Sequence, residues 1–235
     1  MEYFKELNEQ ENDEEFKQYE ARKAYTVGQR VGIYTLLYIT ERVFGIIAVV
    51  IFVKELISLV KGVGTLGLLL YGLSPTLIIL GILILVCDVG GYICLITLNS
   101  QDSGFGSAGG FGIVGLILYG VHNYVLTDGF LGLLCAIAFI VVEVLYIKKL
   151  TDALGGMLST INTDLSYGWG NYYTIYCMLL VVGTVLGVIL AIMDLFTVFA
   201  VLLLIVVVIL DIWKILLLVR SSGTLRRFGL ENMRE

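Results

Sequence analysis

Six long apolar stretches divide this chain, and they limit what it can fold into more than any other feature. A helix that crosses a membrane needs about 20 mostly apolar residues, because each adds about 1.5 Å across roughly 30 Å of hydrocarbon. The stretches that qualify are Val31–Val60, Thr76–Leu98, Gly110–Leu126, Phe130–Ile147, Tyr172–Met193 and Phe196–Val219. The sequence therefore predicts an all-α integral membrane protein with six transmembrane helices.

The composition supports a membrane protein and argues against several other classes. Hydrophobic residues make up 58% of the 235 residues and charged residues only 15%, whereas soluble domains carry about 25% charged residues. So much apolar surface does not fit inside one soluble core. We therefore expect the lipid bilayer as the main partner. The net charge of −5 gives no attraction to nucleic acid, so none is expected as a partner.

The connections between the stretches predict the topology. Residues 127–129 and 194–195 are very short links, so the helices on either side should pair as tight antiparallel hairpins, giving three hairpins in all. The bases near the other ends of the helices are Lys5, Lys17, Arg22, Lys23, Arg30, Lys148, Lys149, Arg220, Arg226, Arg227 and Arg234. Lys and Arg collect on the cytoplasmic side, so both termini are predicted to be cytoplasmic, in a plasma or inner cell membrane.

Three segments follow from this topology. Residues 1–30 are an acidic cytoplasmic tail that does not resemble a signal peptide, residues 31–219 the six-helix domain, and residues 220–235 a basic cytoplasmic tail. Residues 62–73 are apolar but too short to span the membrane. They predict either a re-entrant segment, which needs protein or water around its backbone, or the start of a longer second helix kinked at Pro75.

Acidic residues inside three spans are the strongest indication of function. Asp88, Glu143 and Asp211 lie on the second, fourth and sixth spans, and a charged group in hydrocarbon costs about 2.5–3.5 kcal/mol on insertion scales. Lys214, three residues after Asp211 on the same face, is its expected ion-pair partner. Glu143 lies near two lysines at the end of its span, which predicts a solvated end group.

Asp88 has no basic residue nearby in the sequence. It is therefore the best candidate for a cation ligand or proton carrier, and the alternative is a buried pair with Arg42 or Lys214. Glu41 and Arg42 point about 100° apart on a helix, so each is predicted to need a partner on another helix. Alternatively, residues 20–42 form an amphipathic helix on the inner surface.

His122 is the only histidine and lies beside Asn123 near the outer end of the third span. A single histidine without a carboxylate one turn away does not predict a metal site. We expect a hydrogen-bonding histidine at the membrane interface or, alternatively, a pH-responsive gate. We find no catalytic constellation and predict no cofactor, so the chain is not expected to be an enzyme.

Two further patterns concern packing. Gly183 and Gly187 form a GxxxG pair, which is typical of a close helix–helix contact in lipid. Between residues 150 and 161, apolar residues recur at helical spacing, which predicts a short amphipathic helix on the inner membrane surface. That helix is also a candidate docking segment for a membrane or cytoplasmic protein.

Two functions remain open. The first is a non-catalytic membrane subunit or effector that packs with itself, as a homo-oligomer, or with a partner. The alternative is a channel or transporter for a small cation or solute, in which Asp88, Asp211 and Glu143 line the inner half of the path and His122 with Asn123 its outer mouth. The sequence favours the first slightly, because no span shows the broken helix on which many transporters build their binding site.

Overall fold

The computed structural model describes the backbone of residues 2–62, 74–124, 129–192 and 196–233, with side chains for 14–55, 57, 74–123, 129–187 and 201–233. These residues form six helices: α1 Glu2–Gly62, α2 Pro75–Ile96, α3 Ser103–Tyr124, α4 Gly129–Leu158, α5 Thr163–Ile192 and α6 Phe196–Asn232. Each contains a segment long and apolar enough to cross a membrane. The predicted all-α membrane architecture is confirmed at this level. Residues 63–73, which include most of the predicted re-entrant segment, lie outside the described residues.

Several helices extend well beyond the predicted spans. α1 is a single helix of 61 residues, so the alternative of a separate surface helix over residues 20–42 is wrong. α4 continues to Leu158 and α5 begins at Thr163. The predicted boundaries at residues 30/31 and 219/220 therefore fall inside α1 and α6 rather than at breaks between elements.

The predicted surface helix at residues 150–161 is wrong for a related reason. Residues up to Leu158 are the last turns of α4, and Leu150, Leu154 and Leu158 are fully buried in the core. Apolar residues at helical spacing mark one face of a helix, but the pattern is the same whether that face meets lipid or other helices.

α2 begins at Pro75 and is not kinked there. Ser74 has an extended backbone, and its hydroxyl accepts a hydrogen bond from the amide of Leu77 at 3.4 Å, as an N-cap does. Proline suits the first helical position because its missing amide has no partner inside the helix. The predicted kink at Pro75 is therefore wrong.

The six helices pack in chain order, and α6 returns to pack along α1. Contacting residues show that α1 and α6 run antiparallel. Gly28 lies against Arg226 near one end of this pair, while Tyr38 contacts Asp211 nearer the middle. The arrangement is therefore a ring in which residues far apart in the chain meet between α1 and α6.

The two ends of this ring differ in packing. At the end that contains residues 97–102 and 159–162, here the closed end, buried aromatic and aliphatic side chains form one continuous core. At the opposite end, here the open end, residues 43–55 of α1, 174–187 of α5 and 201–209 of α6 include no buried residue. α3 and α4 stay in contact there, with the rings of Tyr119 and Phe139 5.9 Å apart.

Close helix contacts at the closed end depend on glycines that no sequence pattern indicated. A β-carbon at Gly28 would lie 2.7 Å from the backbone nitrogen of Arg226, and one at Gly229 would lie 2.6 Å from the carbonyl oxygen of Ala21. By contrast, a β-carbon at Gly183 would meet Leu203 at an ordinary 3.6 Å. Gly183 thus faces α6, but without the close backbone approach that the Gly183–Gly187 pair predicts.

Candidate functional site

Charged and tyrosine side chains of α1, α2, α4 and α6 gather at the level where the closed core gives way to the open end. Arg42 and Asp211 link α1 to α6, with the guanidinium Nε 3.3 Å from the carboxylate Oδ2. The hydroxyl of Tyr38 donates a hydrogen bond to Oδ1 of the same carboxylate at 2.6 Å. Asp211 therefore has both oxygens engaged by α1.

The partners of Asp211 correct the sequence prediction. Lys214 is the partner that the sequence predicts, but among the described residues Lys214 lies in no ion pair within 4.0 Å. Glu41 and Arg42 are predicted not to pair with each other, yet Arg42 Nη1 lies 3.4 Å from Glu41 Oε1. The long arginine side chain reaches both carboxylates because it curls back over the ring of Tyr38, 4.8 Å from the ring centre.

Lys214 is held by tyrosines rather than by a carboxylate. Its side chain is almost fully buried, and its ammonium lies 4.3 Å from the ring centre of Tyr38 and 4.9 Å from that of Tyr146. The ammonium also donates a hydrogen bond to the Tyr146 hydroxyl at 3.2 Å. Aromatic faces attract a desolvated cation, so the rings partly replace the water that Lys214 has lost.

A layer of aromatic residues seals the bundle on the closed side of Lys214. The hydroxyls of Tyr34 and Tyr146 hydrogen bond to each other between α1 and α4. The ring of Tyr172 on α5 packs edge-on against Trp213 of α6, and the indole of Trp169 donates a hydrogen bond to Ser221 at 2.9 Å. These contacts leave the interior of the closed end tightly packed.

Asp88 and Glu143 are the remaining two carboxylates of this group of side chains. Both are half-buried, and neither forms an ion pair within 4.0 Å among the described residues. Arg42 and Lys214 attract both electrostatically. The sequence predicts a solvated end group at Glu143, but α4 continues beyond it to Leu158, so that prediction is wrong.

The charges of this polar cluster do not balance. Its acids are Glu41, Asp88, Glu143 and Asp211, and its bases are Arg42 and Lys214. Four carboxylates against two bases leave an excess of two negative charges when all are ionised. In the described part of the chain no three His, Cys, Asp or Glu side chains converge closely enough to hold a metal ion.

His122 and Asn123 lie apart from this cluster, near the open end of α3. The Asn123 amide donates a hydrogen bond to the carbonyl of Tyr119 one turn earlier, at 2.8 Å. The Nδ1 atom of His122 is buried and finds no hydrogen-bond partner in the described residues. Neither residue is brought to the cluster by the described contacts.

Tyrosines are the residues of the cluster that sequence reasoning missed, and they include Tyr92 of α2, whose ring packs edge-on against that of Tyr146 with 5.6 Å between the ring centres. Tyr38, Tyr92 and Tyr146 lie inside apolar spans, each one helical turn from a charged residue of the cluster: Arg42, Asp88 and Glu143, respectively. This spacing puts each pair on one helix face. It is the sequence feature that could have identified these tyrosines as neighbours of the charged residues. Comparison with protein-family models, curated proteins and solved structures finds no match to this chain.

Proposed function

We propose that this chain is a membrane transporter or channel for a small cation, with Asp88 and Glu143 at the cation-binding position. The observation that carries the proposal is the charge imbalance of the cluster. Two uncompensated carboxylates inside a membrane are expensive, so they favour taking up a cation, whether a proton or a small metal ion.

Accessibility supports the same proposal. The cluster lies where burial stops along α1 and α6, and three of its members keep contact with the surroundings: the side chains of Arg42, Asp211 and Glu41 are 44%, 26% and 12% exposed. On the closed-end side of these three residues, Lys214 and most of the aromatic layer are buried. We infer an opening that leads to the cluster from one end and a seal on the other side, as in one state of an alternating-access carrier.

The proposed orientation follows from the basic residues. Arg22, Arg30, Lys148, Arg220 and Arg226 all belong to the closed end, so the closed end is proposed to face the cytoplasm, with the helices crossing as three hairpins and both termini inside. The open end then faces the exterior. Cations entering from outside would meet the carboxylates before the aromatic seal.

The test is ion flux in liposomes that contain the purified chain. Proton, sodium and potassium gradients are imposed in turn, and we expect flux of at least one of these ions to be lost in Asp88→Asn. Asp152→Asn is the matched control, because Asp152 is exposed on the last turns of α4. Equal flux in the parent chain, Asp88→Asn and protein-free liposomes would contradict the proposal.

A second candidate, a non-catalytic membrane subunit that packs with a second copy of itself, is favoured by a different observation. Residues 43–53 of α1 and 201–209 of α6 are entirely apolar, and none is buried. A β-carbon added at Gly45 would meet no other atom within 4 Å, and small residues on exposed membrane helices allow another helix to approach closely.

This second candidate is tested by disulfide cross-linking in native membranes. The four cysteines are replaced by alanine, and single cysteines are introduced as Val49→Cys on α1 or as Ile137→Cys on the exposed side of α4. Self-packing predicts cross-linked dimers for position 49 and not for position 137. Only monomers at both positions, or a cross-link to a different protein, would contradict it.

A further inference from the structure

A groove of about 660 Å³ runs between the first turns of α5 and the C-terminal half of α6, from Trp213 towards the closed end. Its size falls within the range of small-molecule sites. Asn162, Asp164, Leu165 and Gly168 form the α5 side, and Trp213, Leu217, Arg220, Gly223, Thr224 and Arg227 form the α6 side.

The α6 side changes character along its length. Trp213, Leu217, Arg220, Thr224 and Arg227 follow each other at three or four residues, so they form one continuous face over roughly 21 Å of helix. The face is apolar towards the middle of the bundle and basic towards its closed end. A ligand that follows this face therefore needs an apolar part and an anionic part in that order.

Arg220 and its neighbouring hydrogen-bond donor are the features of the groove that favour an anionic group. Arg220 forms no ion pair within 4.0 Å among the described residues, while Arg227 shares its charge with Glu231 at 2.7 Å. Asp164 contributes one opposing carboxylate at the start of α5. Arg220 is therefore the arginine of the groove without an ion-pair partner among the described residues, and the hydroxyl of Thr224 between the two arginines is a further donor.

We propose that this groove binds an anionic phospholipid, with the phosphate at Arg220, Thr224 and Arg227 and the glycerol and upper acyl chains along Leu217 and Trp213. The closed end carries most of the bases of the chain, and basic grooves between membrane helices suit acidic headgroups. Trp213 belongs both to this groove and to the aromatic layer, but the lipid proposal does not depend on transport.

Gly223 provides a steric test that leaves the fold intact. A β-carbon at this position has no other atom within 4 Å, and Gly223 lines the groove, so we expect Gly223→Leu to narrow it. Gly170→Leu is the matched control, since Gly170 is equally open but does not line the groove. Arg220→Gln with Arg227→Gln tests the charges, and Arg22→Gln, exposed at the same end, is their control.

The experiment is native mass spectrometry of the full chain released from detergent with added lipid. We expect phosphatidylglycerol to bind more tightly than phosphatidylcholine with the same acyl chains, and each arginine substitution to weaken phosphatidylglycerol binding about fivefold. Gly223→Leu should weaken binding of both lipids, whereas the two controls should not.

Three outcomes would overturn the proposal. Equal affinity for the two lipids would show that the headgroup charge does not contribute to binding. Unchanged binding in Gly223→Leu would show that the lipid binds outside the groove. Competition by glycerol phosphate at the same concentration as the lipid would identify a soluble phosphate as the ligand instead.

Discussion

The ammonium of Lys214 donates its hydrogen bond to Tyr146, a residue 68 positions earlier in the chain, and not to the carboxylate one turn away on its own helix. Tyr146 in turn hydrogen bonds to Tyr34, so one buried base connects α6, α4 and α1. Because a buried charge without partners is unstable, these tyrosines hold the three helices in a fixed register.

Replacing Tyr146 by phenylalanine tests this connection. Tyr146→Phe keeps the ring over Lys214 and removes only the hydroxyl, so a buried ammonium loses its hydrogen-bond acceptor. We expect the free energy of unfolding to fall by about 1–3 kcal/mol, measured as a lower thermal unfolding midpoint in detergent. Tyr167→Phe, at an exposed position, should leave the midpoint unchanged. Equal midpoints for both variants would argue against the role of Tyr146.

The ion pair between Arg42 and Asp211 is tested by exchanging its charges. Arg42→Asp and Asp211→Arg should each destabilise the chain by about 1–2 kcal/mol, less than a fully buried pair because Arg42 is partly exposed. The double variant restores the attraction, so it should recover part of the loss in a double-mutant cycle. Arg227→Gln breaks a pair at the surface and should cost less than about 0.5 kcal/mol. Strictly additive losses would show that the two residues do not interact.

Packing of α1 against α6 makes Gly28 sensitive to the smallest enlargement. The β-carbon of Gly28→Ala would lie 2.7 Å from the backbone nitrogen of Arg226, so a backbone shift is required, and overpacking of this kind costs about 1–3 kcal/mol. Gly170→Ala has open space and should be neutral or stabilising, because alanine favours the helix. Urea unfolding of both variants gives the comparison, and a neutral Gly28→Ala would mean that α1 and α6 are further apart.

Continuity of α4 predicts a large effect at its last turns. Leu154→Ala removes a fully buried side chain and should cost about 2–5 kcal/mol, whereas Leu134→Ala, at a largely exposed position of the same helix, should cost much less in a lipid environment. If residues 150–158 instead lay flat on the membrane surface, thermal unfolding would show similar small changes for both.

The sequence predicted the six spans well, because length and apolarity alone decide which segments a membrane accepts. It also identified every charged residue of the cluster. It did not predict their partners, since these depend on which helices meet. Asp211 and Lys214 are neighbours on one helix. Because α1 packs against α6, however, Asp211 contacts Tyr38 and Arg42 of α1 instead.

The helix ends were predicted less well for a similar reason. Polar residues such as Arg30 and Lys149 indicate where lipid stops but not where a helix stops, and here α1, α4 and α6 continue into a core outside the apolar stretches. Gly28 was overlooked because it lies in a polar segment, where a close helix contact is not signalled by apolar spacing.

Access to Asp88 from the exterior is the most direct test of the proposed cation path. In a cysteine-free chain, Asp88→Cys is treated in sealed, oriented vesicles with a thiol reagent that does not cross membranes, and Asn99→Cys at the closed end serves as the control. We predict labelling of position 88 from the exterior and of position 99 only from the cytoplasmic side. Failure of exterior reagent to label position 88 would contradict the proposed path.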